Sequence, residues 1–317
     1  MQTKFYIIVN EAAGGGKVRQ EWPKIKTELN TLTINYQFQK TIYSGHAIKL
    51  AYDLCASIKS NDKKQAIILA IGGDGTLHET LTGAKNYFAA HLKESPIPIA
   101  YLSIGSGNDF ARAAGLSLNW KTALHQILDC QQANPISIAS FNNHQDNESG
   151  YFVNNFGIGF DATIVSKANH SKIKKHPFLG QFSYIFAILG VLTSFKAFPL
   201  KLTTNDQTIT YPKAFLVTTS NHPYFGGGVK ILPQASIFKS NLELIIVEKP
   251  SLFQLILFLI MLPLGKHLKL KFVHHLVSDQ FRLTTNTAQF GQIDGEETGD
   301  RVFDISFGVT TYPFWLK

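Results

Sequence analysis

Hydrophobic positions recur along this chain in two rhythms. Over the first 133 residues, short apolar runs alternate with stretches whose apolar positions repeat at helical spacing. Residues 4–9 read KFYIIV, the pattern of a strand buried on both faces. Trp22, Ile25, Leu29 and Leu32 then fall on one face of a helix. Residues 36–41 form a second strand pattern, and Leu50, Leu54 and Ile58 line a helix that opens near Ser44. Residues 66–69 are apolar without a break, and Leu77, Leu81 and Ala84 follow at helical spacing. Residues 98–104 (PIAYLSI) form a fourth strand pattern, leading into a helix with Phe110, Ala111 and Arg112. This alternation predicts a doubly wound parallel sheet.

Near residue 134 the rhythm changes. Residues 136–141 and 151–155 are short strand patterns around a polar loop, and 201–204, 208–211, 214–220, 242–248 and 280–285 follow between turn residues. These predict a mainly antiparallel second domain, a β-sandwich. The expected domains are 1–133, a nucleotide-binding α/β unit, and 134–301, with the strand-like 302–317 able to return to the first.

Composition narrows the class. A chain of 317 residues, 44% hydrophobic and 16% charged, can build two sizeable cores. A net charge of +8 favours an anionic partner: nucleic acid, an acidic lipid surface or a polyphosphate. Cys55 and Cys130, with no CxxC, argue against a disulfide scaffold or zinc site and fit a reducing cytosol. The N-terminus enters a strand pattern at once, so no signal peptide is expected. Two apolar runs come partway to the ~18 unbroken residues that a membrane span needs: 252–264 stops early, and 178–198 is interrupted by Gly180, Gln181, Gly190 and Lys196. Each is expected to be a buried helix, with a lipid-facing surface as the alternative.

The candidate chemistry lies where strands meet glycines. Gly72-Gly73-Asp74-Gly75-Thr76 joins the third strand to its helix, where open backbone and a helix start suit a phosphate. Asp74 beside phosphates requires a cation between them, so the loop suits a metal-bound nucleotide. The plainer reading is a tight turn with Asp74 as helix cap. Two further glycine turns, at Gly14-Gly15-Gly16 and Gly105-Ser106-Gly107, also follow strands. All three should gather along the carboxyl edge of the sheet, where such sheets bind ligands.

In order, Gly72 to Thr76, Gly105-Ser106-Gly107-Asn108-Asp109-Phe110-Ala111-Arg112, Asn155-Phe156-Gly157-Ile158-Gly159-Phe160-Asp161-Ala162, Phe225-Gly226-Gly227-Gly228 and Asp294-Gly295-Glu296 resemble the diacylglycerol kinase catalytic-domain family. The bacterial soluble lipid kinase branch fits the length of this chain. The resemblance implies a kinase of the NAD kinase/diacylglycerol kinase-like fold that uses ATP and Mg²⁺. It implies nucleotide contacts from Asn10, Glu11, Ala12, Ala13 and Gly14, and from Thr41. It also implies contacts from Gly72, Gly73, Gly75, Thr76, Leu77, His78 and Glu79, and from Ser106, Gly107 and Asn108. Glu296 is the implied catalytic base, with Asp294 beside it, and Asp74 the organiser of Mg²⁺ and triphosphate. Asp109 joins the catalytic group by the same resemblance, with helix capping or pairing to Arg112 as the structural alternative. Without the resemblance, Asp294-Gly295 is an ordinary hairpin turn.

Three positions depart from the family. Glu11 stands where proline is usual and would repel phosphate unless turned away. Ser106 replaces a threonine. Lys239 stands in a loop with Ser236 and Asn241 where bacterial members hold a structural Mg²⁺. An ammonium cannot ligate that ion, so this second metal is expected to be absent. The basic segment with Lys167, His170, Lys172, Lys174, Lys175 and His176 is a solvated face or, in a lipid kinase, a dock for acidic headgroups; Lys172, Lys174 and Lys175 are the candidate membrane residues.

The resulting expectation is an ATP-dependent kinase of the hydroxyl of diacylglycerol or a related lipid, giving phosphatidic acid and ADP. It would be cytoplasmic, meet its lipid reversibly at the anionic inner face of the membrane, and take no nucleic acid partner. A homodimer is left open. The alternatives are a soluble nucleotide kinase of the NAD kinase type and a non-catalytic nucleotide- or lipid-binding regulator.

Overall fold

The computed structural model describes residues 3–59, 62–164, 195–205 and 207–316. The first half alternates β1 (Lys4–Val9), α1 (Lys17–Thr31), β2 (Asn35–Lys40), α2 (His46–Ser57), β3 (Ala66–Gly72), α3 (Asp74–Ala90), β4 (Ile99–Ser103), α4 (Asp109–Ala113) and α5 (Trp120–Leu128). Its strands run parallel in the order β2-β1-β3-β4. Strand alternation divides the apolar residues between two layers. Ile7, Val9, Ile67, Leu69, Ile71 and Leu102 pack with α1 and α5. Tyr6, Ile8, Ile68, Ala70, Ile99 and Tyr101 pack with α2 and α3. Burial on both faces explains why these strands read as unbroken apolar runs.

The second half runs β5 (Asn134–Asn143), β6 (Glu148–Phe152), β7 (Asn155–Gly159), β8 (Phe198–Thr203), β9 (Thr208–Ser220), the short pair β10 (Tyr224–Phe225) and β11 (Val229–Lys230), then β12 (Leu242–Glu248) and α6 (Leu252–Met261). It ends with β13 (Val273–Ser278), β14 (Gln280–Thr285), β15 (Gln289–Ile293), β16 (Glu296–Arg301) and β17 (Asp304–Phe314). Pairing within it is antiparallel, and the expected sandwich is present. Its core includes Phe156, Ile158, Val217 and Leu244 from β7, β9 and β12, and Leu200, Leu202, Phe281, Leu283 and Phe307 from β8, β14 and β17. The last strand links the two halves: Phe314 pairs in parallel with Ile99, and Trp315 N–H donates to the Ile99 carbonyl at 2.8 Å.

The structure departs from the sequence expectations at three places. The strand expected over 151–155 is split between β6 and β7, because the N–H groups of Val153, Asn154 and Asn155 all turn to the Asp294 carboxylate at 2.8–3.0 Å. The two strands expected at 208–211 and 214–220 are one, β9, which runs through Pro212 and changes partner along its length. The apolar run 252–264 is a helix as expected, but of α6 only Phe258 is buried. Most of the other apolar run, together with Lys167, His170, Lys172, Lys174, Lys175 and His176, falls in 165–194, outside the described residues.

Candidate active site

The loops after β1, β2, β3 and β4 meet at the carboxyl edge of the parallel sheet around a cavity of about 620 Å³. Ladder bonds carried past the strand ends hold them together. Thr41 N–H donates to Val9 at 2.9 Å, Asn10 N–H to Ile71 at 3.0 Å, and Ile104 N–H to Gly72 at 2.7 Å. The Asn10 side chain ties two loops: its amide donates to Thr76 Oγ1 at 3.0 Å while its carbonyl accepts Ala12 N–H at 3.1 Å. Gly73 and Gly105 touch backbone to backbone, and a Cβ on Gly105 would lie 2.6 Å from the Gly73 Cα. Glycine at 105 therefore sets how closely these two turns approach.

Of the residues implied to bind nucleotide, Asn10, Glu11, Ala12, Ala13, Gly14, Thr41, Gly73, Gly75, Thr76, Glu79 and Ser106 line this cavity. The others lie elsewhere. Leu77 is fully buried in the core against α2 and offers the cavity no side chain. Gly72 ends β3 in the interior. Asn108 closes its own turn, exchanging bonds with Gly105 at 2.9 and 3.0 Å, and Gly107 stands over Asp74. Glu79 lines the cavity but spends both oxygens on the α2 N-terminus, accepting from Gly45 at 2.8 Å and Ala47 at 3.0 Å. Glu11 pairs with the Lys40 ammonium at 2.7 Å, so its charge is matched at the rim. The lining also includes Arg19, Ile42, Tyr43 and Ser44. The sequence reading missed these four because a surface-helix arginine and an exposed strand exit carry no motif.

Behind the glycine turns lies an acidic relay. Asp74 Oδ2 accepts the Asp109 N–H at 3.1 Å, and Tyr101 donates to Asp74 Oδ1 at 3.3 Å. Asp109 in turn accepts Gly227 N–H at 2.9 Å and stands 3.6 Å from Arg112. Its carboxylate thus fastens the glycine loop between β10 and β11 onto α4. Burial pushes Asp74 up to about 6 even though the Asp109 N–H favours its charge, and the acids Asp109 and Asp294 push the same way.

The β15–β16 hairpin enters from the other side. Asp294 (φ 52°) and Gly295 (φ 86°) form its two-residue turn, both in the left-handed region that such turns require. Asp294 is the buried knot of this corner. Besides the three N–H groups from 153–155, it lies 2.7 Å from His78 Nδ1. That leaves it little room to accept a substrate proton, and the geometry makes it an anchor. Gly295 N–H donates to Gln292 at 2.8 Å, and Gln292 reaches Asp161 at 3.2 Å. Burial pushes Asp161 up to about 6.

Two residues past the knot, Glu296 projects into the cavity over the central loop: a Cβ on Gly75 would lie 3.6 Å from its Oε1. Partial desolvation inside the cleft raises the Glu296 carboxyl above its ordinary value. His78 opposes this, while Glu79 and Asp294 add to it. Of the carboxylates lining the cavity, Glu11 is paired and Glu79 is bonded to α2, whereas Glu296 keeps its oxygens open to the cavity. It suits proton acceptance from an alcohol.

Asp74 fits a Mg²⁺ carried on a triphosphate: its oxygens are hard donors, and burial among acids favours a neighbouring cation. Among the described residues no three His, Cys, Asp or Glu side chains converge as a ready cage. Phosphate oxygens and water would complete the coordination, as is usual for this ion. In the loop near Ser236 and Asn241, the Lys239 ammonium donates to the Gln234 carbonyl at 3.1 Å. A cation already sits on that loop, carried by the chain itself.

Residues 4–141 match the family described as the diacylglycerol kinase catalytic domain, and residues 154–308 the family described as the YegS C-terminal NAD kinase β-sandwich-like domain. The chain is 28% identical over 308 residues to a Bacillus subtilis (strain 168) protein named "Putative lipid kinase YtlR", with 95% of this chain and 96% of that one covered. It is 25% identical over 299 residues to a Staphylococcus saprophyticus protein named "Diacylglycerol kinase", covering 94% of this chain and 90% of that one. A solved diacylglycerol kinase structure from Bacillus anthracis str. Sterne superimposes with a TM-score of 0.67 at 19% identity, over 99% of this chain and 97% of that chain, a likeness of fold. By the two domain matches in their order, the chain carries a diacylglycerol kinase catalytic domain over residues 4–141 followed by a YegS C-terminal-type domain over residues 154–308, and it is similar along nearly its whole length to bacterial proteins named as lipid or diacylglycerol kinases.

Proposed function

We propose that the protein transfers the γ-phosphoryl group of ATP to the hydroxyl of diacylglycerol or a related lipid, giving phosphatidic acid and ADP. The observation that carries this reading is Glu296 standing over Gly75, in the same cavity as the loops at Asn10 to Gly14, Thr76 and Ser106. An alcohol acceptor needs a carboxylate close to a phosphate cradle, and here a second structural unit delivers it.

The glycine turns present open backbone to the phosphates, and Arg19 adds positive charge at the rim. Exposed Ile42 and Tyr43 offer an apolar surface to the base. Asp74 would hold Mg²⁺, which when bound supplies charge neutralisation on the phosphates. Glu296 takes the proton of the lipid hydroxyl as its oxygen bonds to the γ-phosphorus. The bond from that phosphorus to the ADP oxygen breaks, and Glu296 later returns the proton to water. His78 and the Asp294 turn hold Glu296 in place.

Labelled-phosphate transfer from ATP to a panel of hydroxyl lipids, with NAD included, tests the reading. Label in a lipid supports it, and label in NAD alone would replace it with a nucleotide kinase.

A further inference from the structure

Helix α6 is built unlike the other helices among the described residues. Ser251 and Gln254 cap it reciprocally, Ser251 N–H donating to Gln254 at 2.9 Å and Gln254 N–H to Ser251 Oγ at 3.3 Å. Its one polar side chain is thereby spent at its own N-terminus. Phe258 faces inward, joining Ile231, Leu232, Ala235, Ile245, Val247 and Val273 and packing edge-on against His267 at 5.5 Å. Leu252, Phe253, Ile256, Leu259 and Ile260 keep 49–75% of their surface exposed. At 100° per residue these five positions fall within an arc of about 120°. They form one continuous apolar stripe pointing away from the core. Leu264, just past the helix, is exposed as well.

The surroundings say what fits this stripe. Residues 249–272 contain no acid but carry Lys249, Lys266, Lys269 and Lys271. The last three are exposed and make no ion pair among the described residues. An apolar helical face with uncompensated lysines at its end complements the boundary between acyl chains and acidic headgroups. A second copy of the chain is a poorer match. A ten-residue helix is about 15 Å long and 10 Å wide, so its face is far below the roughly 800 Å² per partner of a stable interface. No helix among the described residues is long and apolar enough to cross a membrane, so α6 would lie in the surface rather than span it.

We infer that α6 is a membrane-insertion element: its stripe at Leu252, Phe253, Ile256, Leu259 and Ile260 enters the interfacial layer of an anionic bilayer, and Lys266, Lys269 and Lys271 bind the headgroups. This deepens the lipid kinase reading and rests on it for the purpose of the insertion. The helix is tied to the site by its packing. His267, beneath Phe258, lies 2.8 Å from the Ile231 carbonyl, and Ile231 follows the glycine loop whose Gly227 bonds Asp109. Insertion would thus place the cleft near the lipid.

The test uses the full chain and sonicated vesicles of phosphatidylcholine, with or without an equal share of phosphatidylglycerol. Wild type should sediment with the anionic vesicles and release in high salt. A Phe253→Ser/Ile256→Ser/Ile260→Ser variant should bind at least tenfold less at unchanged Tm, as should Lys266→Gln/Lys269→Gln/Lys271→Gln. A Phe253→Trp variant should gain fluorescence that brominated acyl chains quench. Both triple variants should lose turnover on vesicle-borne diacylglycerol and keep it on a short-chain soluble diacylglycerol. Equal vesicle binding by wild type and the serine variant overturns the inference. So does a Phe253→Trp variant whose added fluorescence stays unquenched, which would mean that another part of the chain covers the stripe. Loss of a dimer in the serine variant would overturn it in favour of a second copy. Absence of phosphate transfer to either lipid by any form, with the vesicle differences intact, would reject the kinase reading and leave the insertion element standing.

Discussion

Nδ1 of His78 on α3 lies 2.7 Å from Oδ2 of Asp294 in the β15–β16 turn, joining side chains 216 positions apart. The contact welds the phosphate-side helix to the hairpin that delivers Glu296. Burial opposes a charge on His78, but the bond to Asp294, helped by Glu296 and Glu79, outweighs it and raises the imidazole above its ordinary value. A group whose pKa is raised by folding stabilises the fold fully below its unfolded value. That contribution is lost as pH rises through the folded value. Wild type should therefore lose stability over that window, and His78→Gln should flatten the loss; parallel pH–Tm curves for the two would contradict the pairing.

Asp294→Asn tests the same corner from the other side. The amide keeps size but cannot accept as an anion from Val153, Asn154, Asn155 and His78 together. Hydrogen bonds to a charged group contribute about 1.5–3 kcal/mol each, so a loss of several kcal/mol in denaturant unfolding is expected. Turnover should fall as Glu296 loses its footing. A variant of normal stability would remove the anchoring role.

Asp74→Ala should weaken Mg²⁺-dependent ATP binding as well as turnover, because the carboxylate that would hold the ion is gone. Calorimetric titration with ATP, with and without Mg²⁺, measures this. Unchanged affinity in Mg²⁺ would place the ion elsewhere.

Glu11→Ala should lower the KM for ATP. The substitution removes an acid from the cavity rim and frees Lys40, now 2.7 Å from Glu11, to face the phosphates. The pair is partly exposed and such pairs contribute ~0–1 kcal/mol, so Tm should barely move. A raised KM would show that the pair itself shapes the site.

Much of this arrangement was legible in the sequence because it rests on local signals. Unbroken apolar runs at β1, β3 and β4 marked strands buried on both faces, and glycines after them marked the carboxyl-edge loops. What stayed hidden depends on partners far away in the chain. The break at Val153 and Asn154 exists because Asp294 takes their N–H groups, and no local pattern announces that. Leu77 and Asp294 sit inside motifs yet serve the core and a turn, which only the packing distinguishes from ligand contact. The exposure of α6 was hidden for the same reason, since an apolar run states preference for a nonpolar environment without saying which one.

The most direct measurement is phosphate transfer from labelled ATP to diacylglycerol by wild type and Glu296→Gln, with ATP affinity measured on both. The substitution preserves shape and removes the proton acceptor over Gly75. A general base contributes about 10²–10⁴-fold, so turnover should fall by that range with ATP binding nearly unchanged. Wild-type activity should also rise with pH through a value above that of an ordinary glutamate, following the raised Glu296 carboxyl. Near-normal turnover in a folded Glu296→Gln protein would contradict the account.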